Sequence, residues 1–148
     1  MKAISLRQPW PWFILQGGKH LENRGWTSSY RGPVLIHSSK GWDEEEMQDD
    51  LEMATRIARS LGGLPASGAP TLETLKSERG CIVGVVTIVG CLVESDNPWF
   101  FGPKAFVLED ALPFVDKVPC RGDRGLFTVP DDVASACRAQ IDLGRSRR

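Results

Sequence analysis

Short apolar runs broken by glycine and proline set the rhythm of the chain. Ala3–Leu6 (AISL) reads as a first strand, ended by Gln8-Pro9. Trp10, Phe13 and Ile14 then recur at i, i+3, i+4, the spacing of one helix face, so two helical turns are expected over residues 9–16. Proline suits the opening of that helix because its missing N–H would be unpaired there anyway. Gly17-Gly18 closes it, since a glycine can take the left-handed position after a helix. Residues 19–24 read as a short extended segment in which Glu22 and Arg24 point one way and Lys19 has the opposite parity. A turn near residues 18–20 would bring all three together. After a loop over residues 25–32, Pro33–His37 carries the unbroken run Val34-Leu35-Ile36 of a buried strand.

The period then lengthens. Asp43 is placed to cap a helix, with Glu46 in capping-box register, and Leu51, Ala54, Ile57, Ala58 and Leu61 form its apolar stripe. Gly62–Pro70 reads as a surface loop and Thr71–Ser77 as a helical turn. Cys81–Val93 is apolar on both parities and is expected to be the longest and a central strand, bent at Gly84 and Gly90. Further strands are expected at Ala105–Glu109, Leu112–Val118 and Gly125–Val129, and a last helix from Pro130 to about Leu143. The 148 residues fit one domain over 1–148, with a core over 3–130, the helix over 131–143 and a frayed tail over 144–148. Many short strands with a helix between the third and fourth point to an α+β fold, a small partly closed β-barrel with helices at its mouth.

Charge sharpens this picture. The net charge of −1 hides an asymmetry. Residues 1–42 hold six basic residues and one acid, whereas residues 43–52 hold seven acids and no base. A basic block suits an anionic ligand such as nucleic acid, while the acid run reads as a solvated helix face or a protein-contact surface. The longest apolar run, Ile82–Val93, is too short to span a bilayer as a helix, and no charged stretch leads into an apolar one at the start, so no signal peptide is expected. Four widely spaced cysteines read as reduced thiols, so a cytoplasmic protein without membrane contact is expected.

Candidate chemistry gathers between Ile4 and Ser39. A desolvated Lys19 beside Arg24 would have a lowered pKa, and Glu22 between two cations would serve as an acceptor. The structural alternative is a surface ion-pair set of little energetic weight. His37 follows an apolar strand, where a lone histidine is more often a hydrogen-bonded structural residue. Most aromatic side chains are expected in the core. Trp26 and Trp99, in loops rich in Gly, Asn and Pro, are candidates for stacking an unpaired base. Ser38 and Ser39 could donate to a ligand or cap the strand end. No GxSxG, P-loop or GxGxxG occurs, and the two histidines lack HxxxH or HxH spacing, so no cofactor and no metal are expected.

SLRQPW, GGKHLENR and YRGPVLIHSSK together resemble the N-terminal half of an ASCH domain, within the PUA-like superfamily. GVVTIVGCLV, NPWFFGPKAFVLED and GLFTVP resemble its second half, so the likeness runs over roughly residues 3–130. The hallmark G-x-K-x-x-E-x-R falls on Gly17 to Arg24. The resemblance implies a barrel with a cleft at Lys19, Glu22 and Arg24, walled by Gln8, Pro9, Trp10, His37, Ser38 and Trp99. The loop residues Trp26, Tyr30 and Arg31 and the neighbouring Ser39 complete the set of ligand-binding candidates. It implies a partner that is RNA or a modified nucleoside. An alternative it raises is an amidohydrolase acting on N4-acetylcytidine-like nucleosides, or a ribonuclease. The amidohydrolase branch offers a lysine and a threonine. This chain keeps Lys19 and has Glu22 in the threonine's place, where Glu22 would activate water while Lys19 and Arg24 hold the oxyanion.

Overall fold

A computed structural model describes residues 1–147; Arg148 lies outside the described residues. Its centre is a six-stranded sheet in the order β2-β5-β4-β3-β1-β6. The strands are β1 (Lys2–Leu6), β2 (Leu21–Arg24), β3 (Gly32–Ser38), β4 (Cys81–Leu92), β5 (Lys104–Pro119) and β6 (Leu126–Thr128). Only β1 and β3 pair in parallel; the other neighbours are antiparallel. The sheet curls into a half-barrel of the PUA-like kind, and four helices cover it.

The unbroken apolar run of β3 is explained by burial on both faces. Leu35 joins Ile82, Leu112 and Phe114 beneath the last helix, α4 (Asp131–Ser146), through Val133, Cys137 and Ile141. Val34 and Ile36 point the other way, with Ile4, Val86, Ile88 and Phe106, toward Ile14 and Leu15 of α1 (Trp10–Gln16). A third cluster ties α1 to α2 (Glu44–Ser60) and α3 (Leu72–Ser77) through Phe13, Leu21, Met47, Ala54, Ala58 and Leu75. Each fully buried large side chain in these clusters contributes about 1.5–3 kcal/mol. Asp43 caps α2 as its spacing predicts, its carboxylate accepting from Glu46 N–H at 3.0 Å.

Four expectations need correction. The two strands expected over 105–118 form a single bent strand, β5, which outruns β4 at 16 residues against 12. Asp110, at φ +54°, turns the chain within it, and a pairing shift with β4 keeps both ends in the sheet. Gly84 and Gly90 do mark register shifts, and a side chain at Gly84 would meet Leu15 at 2.6 Å. The stripe of α2 keeps Leu51, Ala54, Ile57 and Ala58 but starts earlier and ends earlier: Met47 is buried, whereas Leu61 lies past the helix and is 51% exposed. Residues 144–146, expected to fray, continue α4. Among the described residues, no helix is long and apolar enough to cross a membrane.

Candidate functional site

The motif segment is positioned by the end of α1. The N–H groups of Gly17 and Lys19 both donate to the Phe13 carbonyl at 3.0 Å, so the chain folds back tightly after the helix. Gly18 makes the turn at φ +77°, with the Gly63 backbone 3.2 Å from where a Cβ would sit. Lys19 enters the interior from this turn, two residues before β2 begins. Glu22 and Arg24 share a face of β2, as alternation requires.

The three charges meet. Arg24 Nε lies 2.8 Å from Glu22 Oε2, and Lys19 Nζ lies 3.7 Å from Glu22 Oε1. Arg24 Nε sits off a hydrogen-bonding line, so its contact with Glu22 is ionic rather than directional. Arg24 Nη2 donates to the Ser5 carbonyl at 2.9 Å, and Lys19 Nζ donates to the Leu21 carbonyl. Only 2% of Lys19 is exposed. Burial lowers its pKa, opposed by the charge and hydrogen bond of Glu22 and reinforced by Arg24. Its amine also lies 5.4 Å from the Trp10 ring centre and 5.9 Å from that of Phe101.

These groups surround a cavity of about 340 Å³, lined by Ser5, Trp10, Lys19, Glu22, Arg24 and Phe101 among others. The volume falls within the range of roughly 300–1,000 Å³ common to small-ligand pockets. Trp10 and Phe101 form its aromatic side, edge to face with centres 5.6 Å apart. Asn23, the unspecified residue between Glu22 and Arg24 in the motif, fixes the aromatic loop. Its side-chain oxygen accepts from Phe101 N–H (2.8 Å) and Gly102 N–H (3.2 Å), and its amide donates to Trp99 O (3.0 Å).

Other expected site residues lie elsewhere. Trp99 is only 1% exposed and packs against Phe13 in the core; Phe101, two residues on, takes the place at the cavity wall. Gln8 is buried and donates to Glu78 O at 3.0 Å, and Pro9 is buried beside it. Trp26 packs edge-on to Phe106, with the Arg24 guanidinium 6.0 Å from its ring centre. Tyr30 donates to Pro33 O at 2.5 Å, and Arg31 donates to the carbonyls of Ser28 and Tyr30. Both stabilise their own loop rather than line the cavity. Ser38 is fully buried, its hydroxyl without a partner.

His37 and Ser39 line a second cleft, of about 710 Å³. Ser5 and His37 are paired positions of β1 and β3, so their side chains share a face. Ser5 Oγ and His37 Nδ1 are 2.8 Å apart, and His37 Nε2 is 2.7 Å from the Cys120 carbonyl. That carbonyl can only accept, which places the ring proton on Nε2 and makes Nδ1 the acceptor of the Ser5 hydroxyl. Burial lowers the His37 pKa, partly offset by the Cys120 hydrogen bond. Among the described residues, no group of three or more His, Cys, Asp or Glu is placed to hold a metal ion.

The family profile of the ASCH domain matches residues 4–101, more than half of the chain and all of this cavity. The chain belongs to the ASCH domain family. It is similar to Activating signal cointegrator 1 of Homo sapiens, at 23% identity over 144 aligned residues, covering 88% of this chain and 22% of the relative. The Mus musculus protein of the same name is 21% identical over the same coverage. The chain therefore spans about a fifth of the length of these curated relatives. Its fold resembles the crystal structure of ASCH from Zymomonas mobilis, with a TM-score of 0.52, 11% identity and 93% coverage of both chains. A mutant of that protein gives a TM-score of 0.51 at 11% identity, covering 93% of this chain and 96% of its own. Within the ASCH frame, sequence reasoning missed Phe101, Ser5 and Asn23. A lone serine in the apolar strand AISL was the available signal for Ser5; for Phe101 the loop backbone decides, and the sequence carries no parity there.

Proposed function

We propose that this ASCH domain binds RNA by admitting one unpaired or modified base into the cavity at Lys19, Glu22 and Arg24. The observation that carries this reading is a charged triad held almost out of water yet facing an open cavity with two aromatic walls. Lys19 is too buried to be a solvating charge, and burying it is costly without compensation. Glu22 and the Leu21 carbonyl supply that compensation and fix its direction. The result is a set of donors (Lys19, Arg24) and one acceptor (Glu22) of the kind that reads a base edge, beside rings on which a base can stack. The family is associated with RNA binding, which supports the same ligand.

The test is filter binding of single-stranded RNA to Lys19→Met and Arg24→Ala variants across a salt series. Both should weaken binding, with no product formed, and the loss should depend on salt. Unchanged binding in both would discard the reading.

One observation favours turnover as a second reading: Lys19 and Arg24 both converge on the Glu22 carboxylate in the wall of the cavity. Glu22 would take a proton from water, whose oxygen adds to the acyl carbon of an N4-acetylated base. Lys19 and Arg24 would hold the oxyanion, and the proton would pass to the departing exocyclic amine, giving acetate and the free base. Mass spectrometry across acylated nucleosides should then show acetate release that disappears in Glu22→Gln. No release by the native protein would leave binding alone.

A further inference from the structure

We propose that the cleft on the far side of Ser5 is a phosphate subsite continuous with the base cavity, so that the ligand is an RNA strand of at least two nucleotides. This rests on the base-binding reading above. Ser5 lies in the wall of both spaces. Its carbonyl faces the first, held by Arg24, and its hydroxyl faces the second, held by His37. A base seated against Trp10 and Phe101 thus has its sugar-phosphate exit beside Ser5, toward the larger opening.

The second cleft differs in how its charges are held. Lys40 and Arg121 line it, both exposed, and neither forms an ion pair among the described residues. Asp123 is the acid of this wall, and one of its oxygens accepts from Arg124 N–H at 2.7 Å, leaving two cations against one anion. The Ser39 hydroxyl, also in the wall, has no hydrogen-bond partner and can rotate to donate. Gly122 packs its backbone directly against this pair: a side chain there would come to 2.7 Å of His37 Cε1, 3.0 Å of His37 Nδ1 and 3.1 Å of Ser5 Oγ. Two exposed, unpaired cations and an unpartnered hydroxyl in one wall are the equipment of a site for a backbone phosphate.

The experiment compares ribo-octamers (rA8, rC8, rU8), followed by fluorescence anisotropy, with the matching nucleosides, followed by saturation-transfer NMR. The proteins are the native chain, Lys40→Ala/Arg121→Ala, Lys40→Glu/Arg121→Glu and Arg24→Ala. Both altered side chains are exposed, so thermal melts should match the native protein. The alanine pair should weaken octamer binding about tenfold and lower the slope of log K against log salt by about 1.4, at about 0.7 per lost phosphate contact. The charge-reversed pair should weaken it further, and nucleoside binding should not change in either. Octamer binding that is native-like in both pairs, yet lost in Arg24→Ala, would overturn the phosphate subsite and leave the base cavity standing. Octamer binding indifferent to Arg24→Ala, or absent in the native protein, would remove the base-binding reading and this one with it.

Discussion

On the two sides of Ser5 the same kinds of side chain are handled in opposite ways. Lys19, almost wholly buried, and Arg24, partly buried, share the buried Glu22. Lys40 and Arg121 stand in water without ion-pair partners among the described residues. A buried cation must be paired, whereas an exposed one is solvated already and gains little from a partner. Each site counts two cations and one carboxylate; in the first the carboxylate sits between the cations and fixes their direction, and in the second the cations are left free to follow a ligand. The contrast divides recognition into an oriented part and an attractive part.

The largest expected effect breaks the oriented part. Glu22→Ala leaves Lys19 buried without its counter-charge and should destabilise the fold by about 3–5 kcal/mol in urea denaturation. Lys40→Ala, by comparison, should stay within about 0.5 kcal/mol of the native protein. Equal costs for the two would erase the distinction drawn between them.

A smaller effect separates core from wall within one loop. Phe101→Ala removes a ring that is 45% exposed and should leave stability nearly intact, while weakening RNA binding by about 1–3 kcal/mol, the value of one stacked base. Trp99→Ala should do the reverse, costing about 3–5 kcal/mol of stability through the cavity it opens. If calorimetry showed that Phe101→Ala binds RNA as well as the native protein, the aromatic wall would lose its role.

This pair also shows what the sequence could carry. The parity of β2 was legible, and with it the meeting of Glu22 and Arg24. So were the Asp43 cap and the bends at Gly84 and Gly90. The choice between Trp99 and Phe101 was not, because an irregular loop has no period. Asn23 and Asn97 decide it by gripping backbone groups on either side of the rings, with Asn97 Oδ1 accepting from Trp99 N–H at 2.9 Å. The second cleft was hidden for another reason. His37 and Lys40 are near one another in sequence, but Ser5, Gly80 and the Cys120–Asp123 segment reach them only through the sheet. Two facing strands could be read as strands; their register against β4 and β5, with its shifts, could not. The single bent β5 was misread as two strands because Asp110 looks like a turn residue and is one, inside a continuous ladder.

Gly122→Ala probes how tightly the second cleft is set. Its added methyl would stand 2.7 Å from His37 Cε1 and force the 121–123 segment away from the ring. Overpacking of this kind costs about 1–3 kcal/mol, and the low end is expected because the loop is exposed and can yield. The informative readout is selective: octamer binding should fall while nucleoside binding holds. A loss of both would mean that the two spaces are not separable at Ser5.

The smallest effect concerns His37 and is read in pH. Burial depresses its pKa below the ordinary value of about 6.5, so the unfolded chain takes up a proton before the folded one does. Above about pH 6.5 both states are neutral at this residue and its contribution is fully present. As pH falls through that value the unfolded state binds more protons, and stability drops until the folded pKa is reached. The loss is about 1.4 kcal/mol for each unit of depression. Burial is the larger cause and the hydrogen bond to the Cys120 carbonyl opposes it; Ser5 meets the ring at Nδ1, and the charged side chains sharing its cleft are Lys40, Arg121 and Asp123. His37→Gln, which retains a side-chain donor and acceptor, should flatten the stability profile between pH 7.5 and pH 5 relative to the native protein. Parallel profiles would mean that His37 accepts its proton in place, and the neutral ring that receives the Ser5 hydroxyl would no longer describe the second cleft at the lower pH.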